Sequence, residues 1–392
     1  MIIKSDHIFL ENGEFSGYVK VEGKKIVDIL DSYDGIVDYY FTDKRVIPGI
    51  IDIHNHGFGG WSMTDSADKA IVEGYVKALT TIGVTCCMPT AKEEAFEAIA
   101  DVYNSEYRGA RIYGIHSEGP FWARGGEKTV GMSWPLPDVE ETKRLVSKAK
   151  GAMKMMAIAV ELPNAYDVIR YLHSENIKVA CCHTKSMAED IRKANKEVKI
   201  DIATHLGNGM QGMHHRNVGA LGGLLLEDDI WYEVITDLNH ICADMLKIFF
   251  KLQPYDKFCL ISDSNFIAGL PVGTYIRYGR EMYADEKGLI LNSDGRICGS
   301  GKWVMSNMGK LEKVVGVPFD KVVQMASLNP ARFLNIDNHT GSIKIGKDAD
   351  ITVMDEDYNC LFTMVNGVVE YDAKVDKQED YFNKEALKLK VA

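Results

Sequence analysis

Hydrophobic positions fall into three regimes along the chain. Over the first ~45 residues they come as short runs, Ile2-Ile3, Tyr18-Val19-Lys20-Val21 and Lys25-Ile26-Val27-Asp28-Ile29, parted by turn pairs such as Asn12-Gly13 and Glu22-Gly23. At Val46-Ile47-Pro48-Gly49-Ile50-Ile51-Asp52-Ile53-His54 the pattern becomes one continuous buried strand. Short apolar runs then recur at Gly83–Met88, Arg111–His116, Met153–Val160, Lys178–Cys182, Ile200–Thr204, Trp231–Ile235 and Lys257–Ile261, each followed by a polar residue or glycine. Stretches of helical length separate them, such as Ala67–Thr81 and Pro137–Ala149. Eight strand–helix units predict a closed parallel (β/α)8 barrel, with an open doubly wound sheet as the alternative.

After Asn329-Pro330-Ala331 the strand character returns, at Gly341–Ile345, Ala349–Met354 and Phe362–Gly367. These runs are expected to pair with the N-terminal strands in a small β-sandwich built from both chain ends. The predicted division is 1–47 with 331–392 for the β domain and 48–330 for the catalytic barrel. Lys374–Ala392 is charged and is predicted to be a peripheral helix.

Composition narrows the classes. Of 392 residues, 46% are hydrophobic and 26% charged, which suits a globular protein with a sizeable core. A net charge of −11 without a basic cluster speaks against a nucleic-acid partner. No apolar run approaches the ~18 residues of a membrane span. The opening Met1-Ile2-Ile3-Lys4-Ser5-Asp6 lacks the regions of a signal peptide. The eight cysteines include the neighbours Cys86-Cys87 and Cys181-Cys182, which on a strand face opposite ways and make no disulfide framework. The expectation is a cytoplasmic, reduced protein.

In a parallel barrel, chemistry sits where the strands end. The polar residues at those ends are Asp52-x-His54-x-His56, Glu118, Glu161, His183, His205, Asp237 with His240, and Asp263. His54 and His56, two apart on a strand, point to one face and can share a cation. The glycines of Gly57-Phe58-Gly59-Gly60 then let backbone approach a ligand. Glu118 has two oxygens with which to bridge two divalent ions. Asp263 can take a proton from water and return it to a leaving amine. Asp52 is a candidate to orient a histidine ring. His116 reads as a supporting or core histidine, Glu161 as an ordinary strand-end carboxylate, and His173, His214, His215 and His339 as surface residues. The tryptophans and methionines read as packing; Cys298 alone among the cysteines is a candidate pocket residue.

Taken together, the segments Pro48–Gly57, His116-Ser117-Glu118-Gly119-Pro120, Thr204-His205-Leu206-Gly207-Asn208-Gly209-Met210 and Ser262-Asp263-Ser264 resemble the amidohydrolase superfamily. More narrowly they resemble its N-acetylglucosamine-6-phosphate deacetylase family. Leu328-Asn329-Pro330-Ala331, the run Gly341–Asp350 and Val365-Asn366-Gly367 carry the likeness through the whole chain. The resemblance implies a metal-bearing barrel beside a small β domain, and loss of an acetyl group from an amino-sugar phosphate; a homodimer is also expected. It makes Glu118, His183 and His205 the principal metal ligands and Asp263 the catalytic acid/base. Thr129, Asn208, Gly209, Arg216, His240 and the loop Ile297-Cys298-Gly299 fall where that family contacts substrate. Because His54 and His56 are kept, one or two divalent ions fit, zinc or iron. Val130 stands where the family commonly places a histidine, and Trp303 is bulkier than expected, so the acyl group and sugar epimer stay open. Another amidohydrolase and a non-catalytic sugar-phosphate binder are the competing readings.

Overall fold

The computed structural model describes residues 1–64, 66–125 and 133–391. Eight parallel strands stand side by side in chain order: Ile50–Asn55, Val84–Ala91, Ile115–Glu118, Met153–Ile158, Lys178–Cys181, Ile202–Ala203, Trp231–Ile235 and Phe258–Ile261. Seven helices follow the first seven strands, from Lys69–Thr80 to Ala243–Leu252. Asp68 and Asp138 cap two of them by accepting bonds from the amides of Ala70 and Glu141.

Strand parity sorts the side chains. Ile51, Ile53, Cys86, Met88, Met155, Ala157, Ala180, Cys182, Cys259 and Ile261 fill the barrel interior. The intervening positions, among them Ile50, Cys87, Met156, Val179, Cys181 and Leu260, pack outward against the helices. Each neighbouring cysteine pair is thus split between the two layers, and all eight cysteines are free thiols.

First and last strands meet through specific bonds at their C-terminal ends. The Asp263 amide donates to His54 O at 2.9 Å, and the His56 amide donates to Ser264 O at 3.0 Å. Buried Asp52 accepts from both the amide and the hydroxyl of Ser262.

Both chain ends build one eight-stranded sheet. Ile351–Met354 pairs antiparallel with Arg45–Pro48, which runs on into the first barrel strand. The sheet folds over, since the edge strand Lys25–Leu30 returns to the segment before Ile351 through Ile26 N to Lys347 O, at 3.0 Å. Its core gathers Ile3, Ile8, Val19, Val46, Ile351 and Phe362.

Three features differ from the sequence reading. Gly341–Ile345 is turn rather than strand: Gly341 has φ +83°, and Ser342 and Lys344 bind Glu11 instead of a ladder partner. An antiparallel meander, Gly273–Arg277, Arg280–Ala284, Leu289–Asn292 and Ile297–Ser300, lies between the last barrel strand and the helix Val304–Lys310. Among its described residues, the tail after Lys374 forms only a 3-10 turn, Gln378–Tyr381, and one helical turn, Lys384–Leu387. It is tethered instead at both ends: the Asn383 amide donates to Gly59 O, and the Val391 amide to Thr274 O, each at 2.8 Å.

Candidate metal and active site

Three strand ends deliver their histidines, His54 with His56, His183 and His205, to one place. Glu118 Oε1 lies 3.1 Å from His183 Nε2 and 3.0 Å from His205 Nε2. Its other oxygen, Oε2, lies 3.2 Å from His56 Nε2 and 3.9 Å from His54 Nε2. Asp263 Oδ1 closes the group at 3.3 Å from His56 Nε2 and 3.5 Å from His54 Nε2. One carboxylate therefore faces two pairs of imidazoles, with a second carboxylate beside one pair.

The backbone is bent to reach this arrangement. His183, His205 and Asp263 have φ of +49°, +31° and +47°, a region that side-chain-bearing residues rarely occupy. Such conformations cost about 1–3 kcal/mol each and persist where the surroundings hold them, as at functional sites. Glu161 is one such hold, accepting from Thr184 Oγ1, Ser186 Oγ and the Lys185 amide just after His183. Gly209 is another: its carbonyl accepts from the Thr184 amide at 3.0 Å, and a Cβ there would stand 3.0 Å from His183 Nδ1.

Electrostatics follow from the same contacts. Burial alone would raise the Glu118 carboxyl, but bonds to His183, His205 and His56 bring it well below its ordinary value. Asp263 behaves likewise: burial opposes ionisation, yet His56 and the charges of His54 and His205 hold it at about 2. Burial works against a charged His54, and the Glu233 carboxylate overcomes it. His116 is pushed well below 6.5 by burial and by the neighbouring His54, so it stays neutral.

The donor set fits a divalent cation. His54 Nε2 and His56 Nε2 approach to 3.4 Å with carboxylate oxygens around them, an arrangement that a shared positive ion satisfies. Imidazole nitrogen with carboxylate oxygen suits zinc and iron alike.

The remaining candidates are distributed around this cluster. Asn208 donates from its amide and its Nδ2 to His205 O, at 2.9 and 3.2 Å. His240 is clamped through Nδ1 by Asp237 Oδ2 at 2.8 Å. Burial would lower the His240 ring, and Asp237 raises it instead. Gly299 lies against Asp263, where a Cβ would be 2.9 Å from Asp263 O, and Cys298 O accepts from Asn265 Nδ2. Ile297 is exposed at the edge of the meander. Arg216 is exposed on the loop before Gly219–Leu225, and no described contact joins it to the histidines or to His240. Thr129 and Val130 lie outside the described residues.

Asp52 takes a different part from the one expected. It touches no histidine ring; its oxygens are taken by Ser262, Asn55 and the His54 amide. The ring is held by Glu233, whose Oε2 is 2.9 Å from His54 Nδ1. A signal existed, because Glu233 is a lone carboxylate on the inward face of the apolar strand Trp231–Ile235. Trp122 was also passed over as packing, yet its ring stacks on His183 at 4.1 Å. Trp303 packs edge-on against Phe58 at 5.5 Å.

A (β/α)8 barrel whose mouth gathers four histidines between two carboxylates defines a metal-dependent hydrolase. The Amidohydrolase family model matches residues 45–370, and the chain belongs to that family. Among curated proteins it is 28% identical to N-acetylglucosamine-6-phosphate deacetylase of Vibrio furnissii, over 94% of this chain and 92% of that one. It is also 28% identical to N-acetylgalactosamine-6-phosphate deacetylase of Escherichia coli, over 80% and 84% of the two chains. The crystal structure of N-acetylglucosamine-6-phosphate deacetylase from Pasteurella multocida superposes with a TM-score of 0.85 at 23% identity, covering 94% of this chain and 99% of that one, so the two share a fold.

Proposed function

We propose that the chain removes the acetyl group from an N-acetylhexosamine 6-phosphate, first of all N-acetylglucosamine 6-phosphate, giving glucosamine 6-phosphate and acetate. The observation that carries this reading is the cluster of Glu118, His54, His56, His183 and His205 around Asp263, in a chain that aligns nearly end to end with the Vibrio furnissii deacetylase. The Escherichia coli relative makes the galactosamine epimer the alternative.

In this reading Glu118, His183 and His205 hold one divalent ion, zinc or iron, and His54, His56 and Asp263 hold a second. The ion, when bound, supplies Lewis acidity toward water and the acetamide carbonyl. Asp263, ionised at neutral pH, takes a proton from the attacking water as its oxygen bonds to the carbonyl carbon. The C–N bond breaks, Asp263 returns the proton to the amine nitrogen, and acetate leaves with the water oxygen. His240, favoured in its cationic form by Asp237, and Arg216 contribute the charges for the phosphate. Eight free thiols suit a reducing compartment, so the proposal places the enzyme in the cytoplasm. A homodimer is the proposed working state, and sedimentation tests it.

The test is release of free amine from N-acetylglucosamine, N-acetylgalactosamine and their 6-phosphates, with wild type and Arg216→Ala. Charge-assisted bonds to phosphate are worth ~1.5–3 kcal/mol each, so losing the phosphate should cost about 10²-fold in kcat/KM. Arg216→Ala should impose a similar penalty on the phosphorylated sugar alone. Equal turnover of plain and phosphorylated sugars overturns the phosphate reading.

A further inference from the structure

We infer that Glu233 is the positioning residue that makes His54 a metal ligand, and thereby decides whether the barrel takes up a second divalent ion. The inference rests on the metal reading above. Glu233 is fully buried on the seventh barrel strand, and its Oε2 lies 2.9 Å from His54 Nδ1 on the first. A neutral imidazole offers a lone pair on one nitrogen only when the other carries the proton. A carboxylate at Nδ1 holds the proton there, which leaves Nε2 as the electron-pair donor. That nitrogen faces His56 Nε2 at 3.4 Å and Asp263 Oδ1 at 3.5 Å. Carboxylate–histidine pairs of this kind fix the tautomer and orientation of metal-bound rings.

The two halves of the cluster are built differently. Among the described residues, the Nδ1 atoms of His183 and His205 have no hydrogen-bond partner. His183 is placed by the Trp122 stack, and both rings project from strained backbone. Of the four clustered rings, His54 alone has a carboxylate at Nδ1 among the described contacts, so removing the Glu233 charge should act on one half selectively.

A structural ion pair explains the residue poorly. The described ion pairs give Glu233 one partner, the His54 ring, and its Oε1 has no hydrogen-bond partner among the described residues. A buried carboxylate is costly unless it is paired, and an apolar side chain would fill an inward strand position without that cost. The second contact of Oε2, with the His205 amide at 3.2 Å, requires only an acceptor oxygen. Glutamine keeps such an oxygen and removes the charge, which separates the two roles.

The experiment is zinc titration of metal-stripped protein against a competing chelator, for wild type, Glu233→Gln, Glu233→Ala, His54→Ala and His183→Ala. Wild type should take two ions. Glu233→Gln and His54→Ala should weaken the same ion, by about 10–100-fold with glutamine at the lower end of that range, and leave the other at wild-type affinity; Glu233→Ala should weaken that ion further and also loosen the His205 half, whose amide loses its acceptor. Metal-free Glu233→Gln should melt as wild type does, while its gain in Tm on adding zinc shrinks. Wild-type affinity for both ions in the Glu233 variants, with one ion lost in His54→Ala, overturns the inference alone. No zinc uptake by wild type overturns the metal reading and the inference with it.

Discussion

Asp52 Oδ2 accepts a hydrogen bond from Ser262 Oγ at 2.6 Å, joining the first barrel strand to the residue after the last. Both residues are fully buried. Burial raises the Asp52 carboxyl, and the bonds from Asn55, Ser262 and the His54 amide offset part of that rise. The same stretch carries the bond from the Asp263 amide to His54 O. Register at this seam therefore sets where Asp263 stands relative to His54 and His56. Removing the hydroxyl by Ser262→Ala takes a donor from a buried carboxylate, which costs about 1–3 kcal/mol. A lower urea midpoint together with reduced kcat is expected. An unchanged midpoint would sink the idea that this bond closes the barrel.

Asp263→Asn tests the proton-transfer role. Asparagine matches the shape but cannot take up a proton as a carboxylate does. General acid–base groups contribute typically ~10²–10⁴-fold, so a loss of that size in kcat is expected, with the ion on Glu118, His183 and His205 retained. A loss below tenfold would move the role to another group.

Metal dependence should be carried chiefly by the half built on Glu118. His183 Nε2 and His205 Nε2 both meet one oxygen of that carboxylate. His183→Ala should lose metal and activity while keeping its far-UV spectrum, because His183 lies on a turn rather than within a strand. Stripping the wild type with chelator should abolish turnover, and readdition of zinc or iron should restore it. Full activity of metal-free protein would refute the assignment.

The parts legible in the sequence were those governed by local pattern. Parallel strands are buried on both faces, so each appeared as a short apolar run ended by a polar residue. The rule that barrel chemistry sits at strand ends then picked out the histidines and carboxylates that now cluster. What stayed hidden depends on contacts between distant strands. Glu233 meets His54 from 179 residues away, and Asp52 meets Ser262 across 210, so neither partner follows from spacing. The meander was missed because strands such as Arg280–Ala284 are largely exposed and polar, with one buried residue among five. The tail was misread because charge resembles a solvated helix face, whereas Phe382 and Asn383 fasten it to the glycine turn after His56.

Glu11 gives the join between the chain ends a pH signature. It follows the first strand, Ile2–Leu10, and accepts from Ser342 Oγ at 2.6 Å, Lys344 Nζ at 3.2 Å and Lys347 Nζ at 3.3 Å. Burial alone would raise its carboxyl; the Ser342 and lysine contacts outweigh that and take it from 4.5 to about 2. A folded-state value below the unfolded one means that ionised Glu11 adds stability above pH 4.5. That contribution disappears as pH falls through about 2. Solvent reaches the group, so screening limits the gain to about 1 kcal/mol. Glu11→Gln removes the charge and leaves the shape. Its Tm should therefore fall short of wild type at neutral pH, and the gap should close on acidification below pH 4.5. A gap of constant size at all pH values would mean that the side chain acts through packing alone, and that the lysines contribute nothing to the join.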